Sequence, residues 1–562
     1  MIARRDASSD AASGIQQTDG SISRIPGQRP RFTASALLIG AILIALVRLH
    51  TYDEPFERDI VTYAITADGM LHGKKLYAEM WDLKPPGIHL SYALAELVVG
   101  YGRRTIYVLG VGMAVLTMLA VFAAGRIRGR GVAGGLWAAG FWVIVCHSLA
   151  LQANQPNTEA FTGFFVAAAL AILLWLPETR KRRGLHWLMV MLAGFCLWAA
   201  TFYKQTFLAS AVFLSVGHLI APGDDGAFSR RVAIVEVMVM AAIGALGWGL
   251  ALLVMAGMGI LRDFYDQVFL FSAAYAGGAL REGEGKASIL SNIFIGLKPS
   301  LLLPRYLYFA LFPLLLGVGG LVLDFAGKKH RPWILLISLA VATQIQIAAS
   351  GQFYPHYYQQ WLPLLAIGGG WGAALLWEWA RHEPNRLWAR SMTIIFVVGL
   401  VLHFARDLRL SADEWNYKKY GEKYGEYNFQ ARALAAEINE LLLPGETFYE
   451  WGTEPGLYFY SKRRPPADIF YIDPLLFGHS IERSHARLIE DLEQTQPELI
   501  ILLKDFVTWI PEGGWMGERL LPALEWIREH YRPMPGGADR GPFLFYARKG
   551  GALEERLESN SE

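Results

Sequence analysis

The sequence predicts an α-helical polytopic membrane protein that ends in a small α/β domain, and three observations carry that prediction. Of its 562 residues, 53% are hydrophobic and the mean hydropathy is +0.27, too apolar for a water-soluble chain of this length. Runs of about 16 to 26 nearly uncharged residues, each sufficient for about one bilayer crossing, recur from residue 33 to residue 407. From Asp407 onward the composition turns charged and aromatic, as in EWNYKKY at 414–420. Lys plus Arg total 52 against 50 for Asp plus Glu. That balance gives no argument for a nucleic-acid partner.

Taken in order, residues 1–32 are polar and read as a disordered cytoplasmic N-terminus. Arg24, Arg29 and Arg31 precede an apolar run without a small-residue cleavage site, which predicts an uncleaved anchor. Eleven candidate spans follow at 33–50, 104–125, 131–150, 159–177, 184–202, 206–221, 232–257, 305–325, 332–350, 360–380 and 391–407. The stretch 86–100 is shorter and carries His89 and Glu96, so it predicts a helix along the membrane interface. Every second connection is basic: Arg126, Arg128 and Arg130; Arg180 to Arg183; Arg230 and Arg231; Lys328, Lys329 and Arg331; Arg381, Arg386 and Arg390. Such clusters mark cytoplasmic loops, which makes 33–407 a transmembrane domain and places 408–562 outside. In that outer domain, helical patterns at 431–443, 484–494 and 518–531 alternate with strand patterns at 447–451, 498–503 and 543–547, as in a small α/β layer.

This topology collects the unusual polar residues in outward loops: 51–103, 152–159, 203–205, 261–304 and 351–358. Ionisable groups beside a helix bundle at a membrane surface are costly unless paired or used. Glu57-Arg58-Asp59 is the densest set; Arg58 and Asp59 either pair to fix the loop or serve a site, and Asp53 and Glu54 compete with Asp59. Glu159 precedes a span, where a carboxylate also suits a helix N-terminus. Lys84 rides on Pro85-Pro86, which stiffen its segment. Lys204 is a lone base in an outward turn, against the positive-inside bias, and either meets a ligand or snorkels to head groups. His356 lies in QFYPHYY at 352–358; its imidazole can donate to an anion, while Tyr354, Tyr357 and Tyr358 read first as an interfacial aromatic belt. Cys146 and Cys196 fall inside apolar runs, which argues against a disulfide framework or thiolate metal site. His72, His89, His147 and His356 have no tight ligand spacing, so no zinc site is expected; a divalent cation bridging a carboxylate and a phosphate stays open.

Glu57-Arg58-Asp59 with Tyr63, then Gly73, Tyr77 and Lys84-Pro85-Pro86-Gly87, resembles the first outer loop of membrane glycosyltransferases of the GT-C class, in particular protein O-mannosyltransferases and bacterial lipid A aminoarabinose transferases. The resemblance spans about 33–410, and EWGTEPGLY at 450–458 with KRRP at 462–465 resembles the extension of bacterial members. Ile60 and Val61 depart from it, since many relatives have an acidic residue and a glycine there. The resemblance implies a GT-C fold in the bacterial inner membrane and transfer of a sugar from a polyprenyl-phosphate donor to a glycolipid, glycan or protein acceptor among membrane lipids. It implies Asp59 and Glu159 as catalytic, with Arg58, Lys84, Lys204, His356 and Tyr357 binding donor phosphate or substrate. The rival classes are a lipid-linked sugar transporter, which requires charged or broken helices at mid-membrane, and a non-catalytic envelope assembly protein.

Overall fold

The computed structural model describes residues 30–127, 129–223, 230–276, 308–326, 330–382, 386–478, 480–512, 515–535 and 537–559. The N-terminal tail 1–29, most of the segment 261–304 expected to face outward, and Arg128, Lys328 and Lys329 of the basic loops lie outside them.

Each of the eleven apolar runs contains a helix. Among the described residues, seven helices are long and apolar enough to cross a membrane: α1 (Pro30–His50), α4 (Arg103–Gly125), α6 (Thr158–Thr179), α7 (Arg183–Tyr203), α9 (Arg230–Gly257), Arg331–Ala349 and Arg390–Arg409. α5 (Gly131–Val145), α8 (Leu208–Ile220) and Leu311–Ala326 are shorter, and Trp361–His382 completes the set. The chain is thus a multi-pass membrane protein. α5 ends five residues before its apolar run does, because 146–154 folds back as turns. Their carbonyls have a partner: the buried Arg48 at the end of α1 donates to Cys146, Ala153 and Asn154 main-chain oxygens.

α2 (Arg58–Leu71) and α3 (Gly87–Val99) fill the first loop. At 1.5 Å per residue, the 13-residue α3 is about 20 Å long, short of the ~30 Å a span needs. It buries His89, Tyr92 and Glu96 and exposes Leu90, Leu94, Leu97 and Val98. Deep in the bundle, Leu311–Ala326 and Trp361–His382 meet through glycines. A Cβ on Gly372 would lie 1.8 Å from the Leu316 carbonyl oxygen, so only glycine permits the approach. At the opposite end from α2, the wholly buried Glu236 of α9 accepts from or pairs with His186 of α7 (2.8 Å) and His218 of α8 (2.6 Å), locking three helices.

The C-terminal region carries a mixed sheet of β1 (Phe448–Trp451), β2 (Leu499–Leu503), β3 (Tyr531–Pro533), β4 (Asp539–Arg540) and β5 (Phe543–Arg548), in the order β1-β2-β5-β3 with β4 also on β5. β1 and β2 are parallel; the other pairs are antiparallel. The three expected strands are present, and β3 and β4 are additional. The expected helix 431–443 is instead two helices, Ala412–Ala433 and Ala435–Leu441. The first begins on a Ser411/Glu414 capping box and kinks at Gly421 (φ 76°), so regular structure starts well before the expected position. One apolar cluster joins the sheet to the first loop, with Phe56, Ile60, Trp81 and Ile88 in continuous contact with Phe459, Phe470, Tyr471 and Ile500. Ile60 and Val61 are wholly buried in it. Main-chain bonds reinforce the seam: Trp81 N donates to Asp468 O (3.1 Å), and Phe56 N to the Tyr460 hydroxyl (2.7 Å).

Candidate functional site

A cavity of about 620 Å³ opens between the bundle and the C-terminal domain. Six of the seven residues singled out in the sequence line it: Arg58, Asp59, Lys84, Lys204, His356 and Tyr357. They come from three loops, 51–103, 203–205 and 351–358, gathered on one end of the molecule.

Glu57 is the residue before α2, and Arg58 and Asp59 open its first turn. Asn157, the N-cap of α6, holds them from behind: its amide lies 3.4 Å from Asp59 Oδ2 and 3.5 Å from Glu57 Oε1, while its oxygen accepts from Tyr63 (3.1 Å) and Thr158 N (2.7 Å). Arg58 stands 3.9 Å from Asp59 and 3.3 Å from Asp473 of the C-terminal domain. Burial raises the Asp59 carboxyl's affinity for its proton, but the Lys84 and Arg58 charges and the Asn157 bond outweigh it and hold the group below the usual carboxylate range. Glu57 goes the other way: burial, then the neighbouring Asp59 charge, push it up to about 8. The pair therefore stands as one neutral acid and one carboxylate at neutral pH.

Lys84 is placed by its own backbone. Its amide donates to Asp82 Oδ1 (2.7 Å) and its carbonyl accepts from the Tyr77 hydroxyl (2.8 Å). Gly87 then lets the loop press on the end of α7, since a Cβ there would lie 2.7 Å from the Phe202 carbonyl oxygen. Among the described residues, no carboxylate forms an ion pair with Lys84.

Lys204 does not snorkel: it lines the cavity while largely buried, its Nζ lies 2.5 Å from Glu159 Oε1, and it sits 3.8 Å above the Tyr357 ring. Glu159, in the first turn of α6, is buried behind Lys204 and does not line the cavity. The side-chain cap there is Asn157. Tyr357 and Tyr358 are buried, which corrects their reading as an interfacial belt; Tyr354 is partly exposed. His356 stacks on Tyr354 and meets Tyr357 edge-on, and burial pushes its imidazole down to about 4, leaving it neutral.

Asp53 and Glu54 are set apart from the cavity. The Asp53 side chain is 81% exposed and faces Arg103. Glu54 is buried, accepting from Asn154 (2.6 Å), Gln155 (2.9 Å) and Lys419 (2.7 Å). Sequence reasoning missed the C-terminal half of the lining: Lys419, Tyr420, Lys423, Tyr424, Tyr427, Glu454, Asp473 and Asp505. The one available signal was Glu450 and Glu454 in an otherwise apolar stretch. Among the described residues, no group of three or more His, Cys, Asp or Glu side chains is arranged to hold a metal ion.

No family profile matches the chain, and no curated protein matches it. Solved structures do. ArnT from Cupriavidus metallidurans superposes with a TM-score of 0.54 in the apo state and 0.52 bound to undecaprenyl phosphate, at 16% and 15% identity, over 92% of this chain and 98% of that one. The oligosaccharyltransferase AglB from Archaeoglobus fulgidus, in complex with an inhibitory peptide and a dolichol-phosphate, gives 0.52 at 13% identity over 92% of this chain and 74% of its own.

Proposed function

The chain has the fold of the GT-C glycosyltransferases, and from that fold we propose that it transfers a sugar from a polyprenyl-phosphate donor to an acceptor at the outer face of a bacterial inner membrane. One observation supports this above others: an ionised carboxylate, Asp59, and a cation outside any ion pair among the described residues, Lys84, share one cavity with a neutral imidazole. In the reaction, an acceptor hydroxyl oxygen bonds to the anomeric carbon and its proton passes to Asp59. The bond from that carbon to phosphate oxygen breaks, and the electron pair leaves on polyprenyl phosphate. Lys84, with Arg58, offsets the developing charge; His356 and Tyr357 line the same end.

Glu159 serves here by keeping Lys204 charged and aimed. A transporter reading is less supported, because the buried ionic groups of the described spans lie near helix ends rather than at mid-membrane. Binding of undecaprenyl phosphate to the purified protein in nanodiscs tests the donor half. Saturable binding that weakens in Lys84→Met supports it; no binding, or binding indifferent to Lys84, rejects it.

A further inference from the structure

The cavity has two walls of different chemistry. The bundle side carries Arg58, Lys84 and Lys204; the C-terminal side carries Tyr424, Tyr427, Asn428, Glu454 and Asp505. The Tyr424 side chain is 59% exposed where it lines the cavity, and Tyr427 meets it edge-on at 5.9 Å. Tyr427 donates to Asp505 Oδ2 (2.7 Å), and the Asp505 side chain is 32% exposed. The two lysines of this wall are already committed, Lys423 to Asp505 and Lys419 to Glu54.

An exposed aromatic face beside hydrogen-bonding carboxyl and amide groups is a surface for sugar rings and their hydroxyls. It suits a phosphorylated ligand poorly, since its two lysines are already paired with carboxylates. Burial, moderated by Arg58, pushes Glu454 up to about 8, so this group meets a ligand as a neutral donor and acceptor rather than as a charge.

Resting on the proposed transfer reaction, we infer that the C-terminal wall is the acceptor subsite and that it takes a neutral glycan, with Tyr424 as stacking platform and Asp505 and Glu454 as hydroxyl partners. The acceptor nucleophile then enters from the C-terminal side while the donor phosphate occupies the cationic side.

The test uses the full-length protein in nanodiscs on an array of neutral, amino-bearing and phosphorylated oligosaccharides and a Ser/Thr-rich peptide, with undecaprenyl phosphate binding measured in parallel. Capture on neutral oligosaccharides, weakened about tenfold by Asp505→Asn and also lost in Tyr424→Ala, with undecaprenyl phosphate affinity unchanged, is the expected result. Tyr424 is exposed, so its loss spares the core. Preferential capture on phosphorylated oligosaccharides or on the peptide, no capture on any sugar, or capture that neither variant weakens would overturn the inference. If undecaprenyl phosphate still binds, the donor reading survives that failure; if it does not, the transfer reading itself falls.

Discussion

Replacing Lys204 by Met removes the cation on which a buried carboxylate depends. Breaking a buried pair from one side costs about 3–5 kcal/mol, so Lys204→Met should unfold at markedly lower temperature in detergent, and adding Glu159→Gln should recover part of the loss. Equal melting of Lys204→Met and the parent would refute the pairing. Lys84→Met should leave melting unchanged, since no carboxylate among the described residues pairs with Lys84, while weakening undecaprenyl phosphate binding by about 1.5–3 kcal/mol, the worth of a charge-assisted hydrogen bond. The two lysines looked alike in the sequence because each is a base in a loop read as outward. What separates them is Glu159, 45 residues from Lys204, a contact that no local pattern encodes. The same holds for Tyr357: an aromatic before a span suggests a belt, and only the fold of the turn at 351–358 shows it turned inward under Lys204.

The eleven helices were legible because apolar length is a local property. The helix Ala412–Ala433 was not: it has no apolar face of its own, and it is held by capping and by contacts such as Lys419 with Glu54. That helix and the β1 end of the sheet supply half the cavity, so half the candidate site was out of reach of the sequence motifs. Their attachment should depend on pH. Glu57 and Glu454 are both pushed up to about 8, by burial first of all, from an ordinary 4.5. Groups raised in this way bind more protons folded than unfolded. Their contribution is full below about pH 4.5 and is lost as pH rises through about 8. Glu454→Gln should therefore lose less thermal stability than the parent between those two pH values. Identical slopes in a pH series of melting curves would refute the raised carboxyl.

At the scale of the molecule, the first loop, the turns before α6 and α8, the 351–358 turn and the C-terminal domain all meet at one end, as the alternating basic loops implied. A cysteine at Glu79, exposed on that end, or at Gln494 should react with an impermeant thiol reagent in intact cells, whereas one at Arg182 should not. The native Cys146 and Cys196 are buried and give a quiet background. Labelling at Arg182 alone would invert the orientation. Asp82 would be an uninformative site, because it is buried. Sugar transfer through Asp59 releases the same product, polyprenyl phosphate, whatever the acceptor. The direct measurement is release of free polyprenyl phosphate from a membrane pool of polyprenyl-phosphate-linked sugars by the purified protein. A positioned general base contributes about 10² to 10⁴ in rate, so Asp59→Asn should lower release by that factor while still binding undecaprenyl phosphate, and Asp53→Asn, exposed and outside the cavity, should be near the parental rate. Parental release by Asp59→Asn, or no release by the parent from any such pool, would contradict the account.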